Sequence, residues 1–257
     1  LKDNKDLINV EKKFHSFLKK IFRNKKNNSK YFFKNKKCAC GSTKNVKKIK
    51  INFFEYVKCQ CGSFFVNPML KENLLNLVYS NNGPYNLYRK KFFEKKTKTK
   101  IRTNFVNKRK AEQVLNVLKN TNKRLLDFGC GNGDFLKACK KKGMKKLYGT
   151  DPKYLKKFEK KGITYLNSID ALKTEPKFDC ITLWGVLEHL NDPIRFSYRI
   201  SRLLAKNGFL ILEVPNADSL LMNYVNFTEK NLIRFTEPGR HLFFFSKLFF
   251  KIYSKKL

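Results

Sequence analysis

An apolar run that stops on three alternating glycines constrains this chain more than any other stretch. Residues 124–134 read Arg-Leu-Leu-Asp-Phe-Gly-Cys-Gly-Asn-Gly-Asp, and Phe135, Leu136 and Ala138 follow at helical spacing. The pattern predicts a short strand, a tight turn and a helix start. Gly129, Gly131 and Gly133 let the backbone approach a ligand that side chains would hold off. Asp134 is placed to cap the helix, whose first free N–H groups face the same ligand.

The spacing is G-x-G-x-G, not the G-x-G-x-x-G that seats a pyrophosphate on a helix N-terminus. Asp127 and Asp134 flank the turn. Two acids repel a pyrophosphate but suit a ligand carrying an ammonium or sulfonium cation beside a carboxylate, the charge pattern of S-adenosylmethionine. A second strand, Leu147 to Thr150, ends at Asp151-Pro152. An acid at the tip of the next parallel strand can accept hydrogen bonds from both ribose hydroxyls of a nucleoside. Residues 178–193 then run from an apolar strand into a polar turn. A helix from about Pro193 to Leu204, a turn at Asn207-Gly208 and an apolar strand from Phe209 to Val214 follow. Such runs read as central parallel strands buried on both faces.

Four segments in order carry a family resemblance: Leu126 to Gly133, Asp151, Phe178-Asp179 leading to Leu187-Glu-His-Leu-Asn-Asp-Pro193, and Leu204 to Asn216. Together they resemble the motifs of class I S-adenosylmethionine-dependent methyltransferases, over roughly residues 105–216. The resemblance implies an α/β fold with a doubly wound, mainly parallel, Rossmann-like sheet and the cofactor over its carboxyl edge. It also implies that Gly129, Gly131 and Gly133, beside Asp127, line the methionine portion, that Asp151 holds the ribose, and that Trp184 sits near the reactive end. A Rossmann-like domain binding another nucleotide, or none, is the competing reading.

Four of the seven cysteines form two pairs, Cys38-Ala-Cys40-Gly-Ser and Cys59-Gln-Cys61-Gly-Ser. Twin knuckles with β-prone residues between them suit tetrahedral thiolate coordination of structural zinc by Cys38, Cys40, Cys59 and Cys61. Each pair has one intervening residue where zinc ribbons usually have two, which tightens the chelate. Four ordinary thiols are the alternative, and disulfides are disfavoured without a secretion signal. Cys130, Cys139 and Cys180 read as small packing residues.

A cysteine-knuckle module (38–70), a connecting or lid segment with Tyr79, Tyr85 and Tyr88 (71–104), the core (105–216) and a substrate-side segment (217–257) resemble a bacterial subgroup that includes sugar C-methyltransferases. Pro238-Gly-Arg-His241 resembles the subgroup's segment after the fifth strand, where a histidine faces the acceptor. His241 and His189 are therefore candidate general bases. Beside Glu188, His189 also reads as a structural residue of the pocket floor, and His15 as part of a basic helix.

The formal net charge is +37, and residues 1–123 carry 32 basic and 7 acidic side chains against 18 and 10 in 124–216. Such a region is drawn to nucleic acid, anionic lipid or phosphorylated substrates, or simply solvates its surface. Residues 1–37 hold an amphipathic basic helix, with Val10, Phe14, Phe17, Leu18, Ile21 and Phe22 at helical spacing, and a lysine-rich linker. The stripe either lies on an anionic membrane or packs on its own domain.

No apolar run reaches membrane-spanning length and no signal peptide opens the chain, so a cytoplasmic, at most membrane-peripheral, protein is expected. Residue 1 is Leu and only about 40 residues follow Asn216, too few for the helix and antiparallel hairpin that complete a class I sheet. A fragment, or an edge covered by a partner, is expected. The fourth strand ends Leu183-Trp-Gly-Val, without the Asn/Asp-Pro-Pro-aromatic grip on an exocyclic amine. Methyl transfer to a nucleotide-sugar or surface-glycan precursor is the first expectation, and a quinone or lipid precursor the second. An RNA-binding protein with an inactive core is the alternative of another class.

Overall fold

The computed structural model describes residues 16–17, 19–21, 28–34, 37–51, 54–80, 83, 97–151, 162–166, 177–220, 222 and 239–255. The amino-terminal part contains α1 (Asn28–Tyr31), β1 (Phe32–Phe33), β2 (Asn45–Ile51), β3 (Phe54–Cys59), β4 (Phe64–Val66), β5 (Met69–Leu70) and α2 (Glu72–Tyr79). The middle follows as α3 (Thr97–Leu118), β6 (Arg124–Phe128), α4 (Asp134–Lys141), β7 (Lys146–Thr150), β8 (Thr164–Leu166) and β9 (Phe178–Trp184). A 3-10 turn (Leu187–His189) leads to α5 (Pro193–Ser201), β10 (Leu204–Glu213), β11 (Phe243–Phe244) and α6 (Lys247–Tyr253). These elements gather into two compact units, one of residues 1–97, 188–193 and 215–256, the other of 98–187, 194–214 and 257.

The second unit is built on a five-stranded parallel sheet in the order β10-β9-β6-β7-β8. Leu125 and Leu126 on β6 and Cys180, Ile181 and Leu183 on β9 are fully buried, as strands covered on both faces require. Ala111, Val114 and Leu118 present one apolar stripe of α3, and Phe135, Leu136 and Cys139 one of α4, to the same core. Cys130, Cys139 and Cys180 all belong to it, as packing residues do.

The last strand and the helix before it depart from expectation. The last strand begins at Leu204 and absorbs Asn207-Gly208 as an irregularity in its pairing with β9, where Asn207 takes φ +62. β10 occupies the edge, as expected for the fifth strand, but no residue of it reaches full burial, so its apolar run is not that of a strand covered on both faces. The helix before it ends at Ser201, short of Leu204.

The first unit contains a four-stranded antiparallel sheet, β11-β4-β3-β2, and a β1–β5 pair. Phe243 pairs with Phe65 and Phe244 with Phe64, so the carboxyl-terminal segment supplies a strand to the sheet of the cysteine-bearing segment. Phe64, Phe65, Phe243, Phe244, Phe245 and Phe249 are buried to 2% exposure or less and form its aromatic core. Ser246 caps α6 by accepting the Phe249 N–H, and it also donates to the Cys61 carbonyl.

Of the basic helix, Ile21 is buried and Phe17 half-buried, while Val10, Phe14, Leu18 and Phe22 lie outside the described residues. So do His15, Tyr85, Tyr88, Pro152, Pro238 and the Tyr79 side chain. No helix among the described residues is long and apolar enough to cross a membrane.

Candidate active site

The carboxyl ends of β6, β7, β9 and β10 bring together Asp127, Asp151, Trp184 and Glu213. After β6 the chain turns through Gly129, Gly131 and Gly133 with φ of +76, +53 and +69, which an L side chain rarely adopts. The turn is tied to the end of β7: the Thr150 carbonyl accepts the Gly129 and Cys130 N–H groups at 2.8 and 3.1 Å. The Asp151 carboxylate accepts the Gly131 N–H at 2.9 Å.

The three glycines differ in what they face. A Cβ on Gly129 would meet Val186 at 2.6 Å and one on Gly133 the Tyr165 hydroxyl at 2.0 Å, whereas one on Gly131 meets no heavy atom of the described residues within 4 Å. Gly129 and Gly133 are glycines because protein packs against them. Gly131 opens outward, where a ligand can touch the backbone. Asp134 does not cap the helix as expected, because Gly133 in the left-handed conformation is itself the N-cap. The Asp134 carboxylate pairs instead with Lys137 at 2.6 Å.

Asp127 is 2% exposed and accepts a hydrogen bond from Thr182 Oγ1 at 2.8 Å. Burial pushes its carboxyl up to about 7, with Asp151 adding in the same direction and Thr182 and Lys110 opposing. A buried acid so placed gains its charge readily when a cationic group arrives beside it. Trp184 stands edge-to-face with Phe135 at 5.2 Å, and its indole N–H is buried with no acceptor among the described residues. Lys110 of α3 lies over the indole at 4.5 Å and pairs with Glu213 at 2.8 Å. Lys110, Glu213, Thr182 and Tyr165 carried no sequence motif. Only the fold brings them to the strand ends.

His189 and His241 belong to the other unit, with their ring centroids 5.0 Å apart. His189 Nδ1 lies 2.8 Å from the Arg240 carbonyl, and burial favours the neutral imidazole. Glu188, 3% exposed, completes this group and was seen in the sequence only as a neighbour of His189.

The four paired cysteines also converge. Cys38 and Cys59 each accept the N–H of the glycine three residues on, Gly41 and Gly62, at 2.8 and 2.9 Å. Each also donates its own N–H to the serine four residues on, Ser42 or Ser63, at 2.9 Å, so the two knuckles are built alike. Cys38 and Cys61 sulfurs are 3.8 Å apart, Cys40 and Cys59 3.6 Å, and all four lie within 4.8 Å of one another. Tetrahedral Zn–S bonds of about 2.3 Å put sulfurs about 3.8 Å apart, so these residues fit the ion. The contact between Cys38 and Cys61 pulls the Cys61 thiol's pKa below the ordinary thiol value and pushes that of Cys38 up.

A methyltransferase-domain family model matches residues 102–252, more than half of the chain. The chain belongs to the methyltransferase-domain family. Among its curated relatives, the tRNA U34 carboxymethyltransferase of Campylobacter hominis is 34% identical over 106 residues, 37% of each chain. The ubiquinone biosynthesis O-methyltransferase of Pelagibacter ubique is 32% identical over 134 residues, 49% of this chain and 54% of that one. This methyltransferase-family chain thus spans about a third to a half of the length of these curated relatives. The crystal structure of the plantazolicin methyltransferase BamL, in complex with a triazolic desmethylPZN analog and SAH, shares the fold with a TM-score of 0.52 over 72% of each chain at 15% identity.

Proposed function

We propose that this chain binds S-adenosylmethionine at the glycine turn of the parallel sheet and transfers its methyl group to a small-molecule acceptor. The observation that carries the reading is Gly131: a left-handed residue at the centre of the turn, opening on empty space, with its N–H held by the acid of the next strand. Asp151 would accept the ribose hydroxyls, Asp127 would neutralise an ammonium group, and Trp184 would wall the reactive end. Bound there, the cofactor supplies an electrophilic methyl group on a sulfonium. The protein's part is mainly positioning, because in-line transfer needs the acceptor about 3 Å from the carbon. His241 and His189, the candidate general bases, stand together in the other unit. Zinc on the four thiols would be structural.

Among acceptors, the name of the Pelagibacter ubique relative favours a quinone precursor over the nucleotide sugar suggested by the subgroup resemblance. The carboxymethyltransferase relatives favour an RNA acceptor as a second reading. Transfer of label from tritiated cofactor into separate quinone-precursor, nucleotide-sugar and RNA pools decides among them. Absence of saturable cofactor binding by calorimetry would remove the whole reading.

A further inference from the structure

Glu188, His189 and His241 bring one carboxylate oxygen and two imidazole nitrogens within 4.8 Å of one another. Glu188 Oε1 lies 3.9 Å from His189 Nε2. A carbonyl can only accept, so the 2.8 Å contact between His189 Nδ1 and the Arg240 carbonyl puts the hydrogen on Nδ1. The Nε2 lone pair then faces the carboxylate. Metal-bound imidazoles are oriented in this way, with the distal N–H on a backbone carbonyl and the other nitrogen on the ion. The backbone holds both contributing segments in place: the Leu242 N–H donates to the Glu188 carbonyl at 2.7 Å, and the Tyr56 hydroxyl to the His241 carbonyl at 2.7 Å.

From this convergence we infer that Glu188, His189 and His241 form a divalent-cation site, separate from the four thiols. Two nitrogens and one carboxylate oxygen suit a borderline ion such as Zn²⁺ or Co²⁺. Bonds of about 2.1 Å draw tetrahedral ligand atoms to about 3.4 Å apart, so side-chain rotation closes the present 3.9 Å separation. A ligated imidazole has no lone pair left to take up a proton, so an ion here and a general-base role for these histidines exclude each other.

The test is a Co²⁺ titration of the metal-stripped full chain, followed by absorbance. The wild type is expected to bind one equivalent with intense thiolate charge-transfer absorption and one without it. Glu188→Gln and His241→Asn should each keep the thiolate band, which shows that their unit is folded, and bind the other equivalent at least about 100-fold more weakly. A wild type with no equivalent outside the thiolate band, or a second equivalent held equally well by both variants, overturns the site. Calorimetry with S-adenosylmethionine on the same samples tests the proposed function separately. Cofactor binding without the second ion sinks only this inference.

Discussion

The Asp151 carboxylate, at the tip of β7, holds the backbone N–H of Gly131 at 2.9 Å. The acid assigned to the ribose is thus also the clasp of the glycine turn. Asp151→Asn keeps the size but loses the charge of the acceptor, and calorimetry should show S-adenosylmethionine affinity falling about 10- to 100-fold, the worth of one charged hydrogen bond. Asp151→Ala removes the clasp as well, and saturable binding should disappear.

Gly131 and Gly133 should respond differently to the same added methyl group. At Gly131 the Cβ enters open space, so Gly131→Ala should cost only the left-handed strain of about 1–2 kcal/mol while lowering cofactor affinity. At Gly133 the Cβ collides with the Tyr165 hydroxyl, so Gly133→Ala should destabilise the fold by more than that strain. Urea midpoints and calorimetry on both variants check the contrast, and equal losses of stability would argue against it.

Asp127 should make stability depend on pH. Its carboxyl is raised from 3.8 to about 7 in the folded chain, so between those values the unfolded chain gives up a proton that the folded one keeps. The contribution is complete below about pH 4 and is lost as pH rises through 7, up to about 4 kcal/mol in all. Asp127→Asn should flatten that slope in urea midpoints measured from pH 4 to 8. Cofactor affinity should move oppositely and strengthen as pH rises through 7, because the ionised carboxylate is the form that attracts an ammonium group.

Chelator should act on the cysteine knuckles. Removing zinc leaves four sulfurs within 4.8 Å with no shared cation, and limited proteolysis should then cut within residues 38–63. Cys61→Ser should be cut there with or without chelator. Identical digestion of the wild type in both conditions would count against a metal at this position.

The glycine turn and the position of Asp151 at the next strand's tip were legible because each depends on neighbours within a few dozen residues, and the parallel sheet was legible through the family resemblance. The apolar runs of β6 and β9 needed only burial to be read. The convergence of the four cysteines was legible from their spacing, and each pair turns through its following glycine, Gly41 or Gly62. Local rules failed where two residues competed for one role: Asp134 has the chemistry of a cap, but Gly133 has the conformation. They failed again at β10, whose continuous apolar run reads as buried on both faces although no residue of it is fully buried. Glu188 as a partner of both histidines was not legible, since His241 lies 53 residues further on and reaches it through a sheet no short motif encodes.

That sheet is completed by Phe243 and Phe244 pairing with Phe65 and Phe64. During synthesis the Phe64–Phe65 edge must therefore wait for about 180 more residues to leave the ribosome, on the order of ten seconds or more at about 5–20 residues per second. Until then the nascent chain carries an open aromatic border, which makes it a client for any holdase that recognises extended hydrophobic segments.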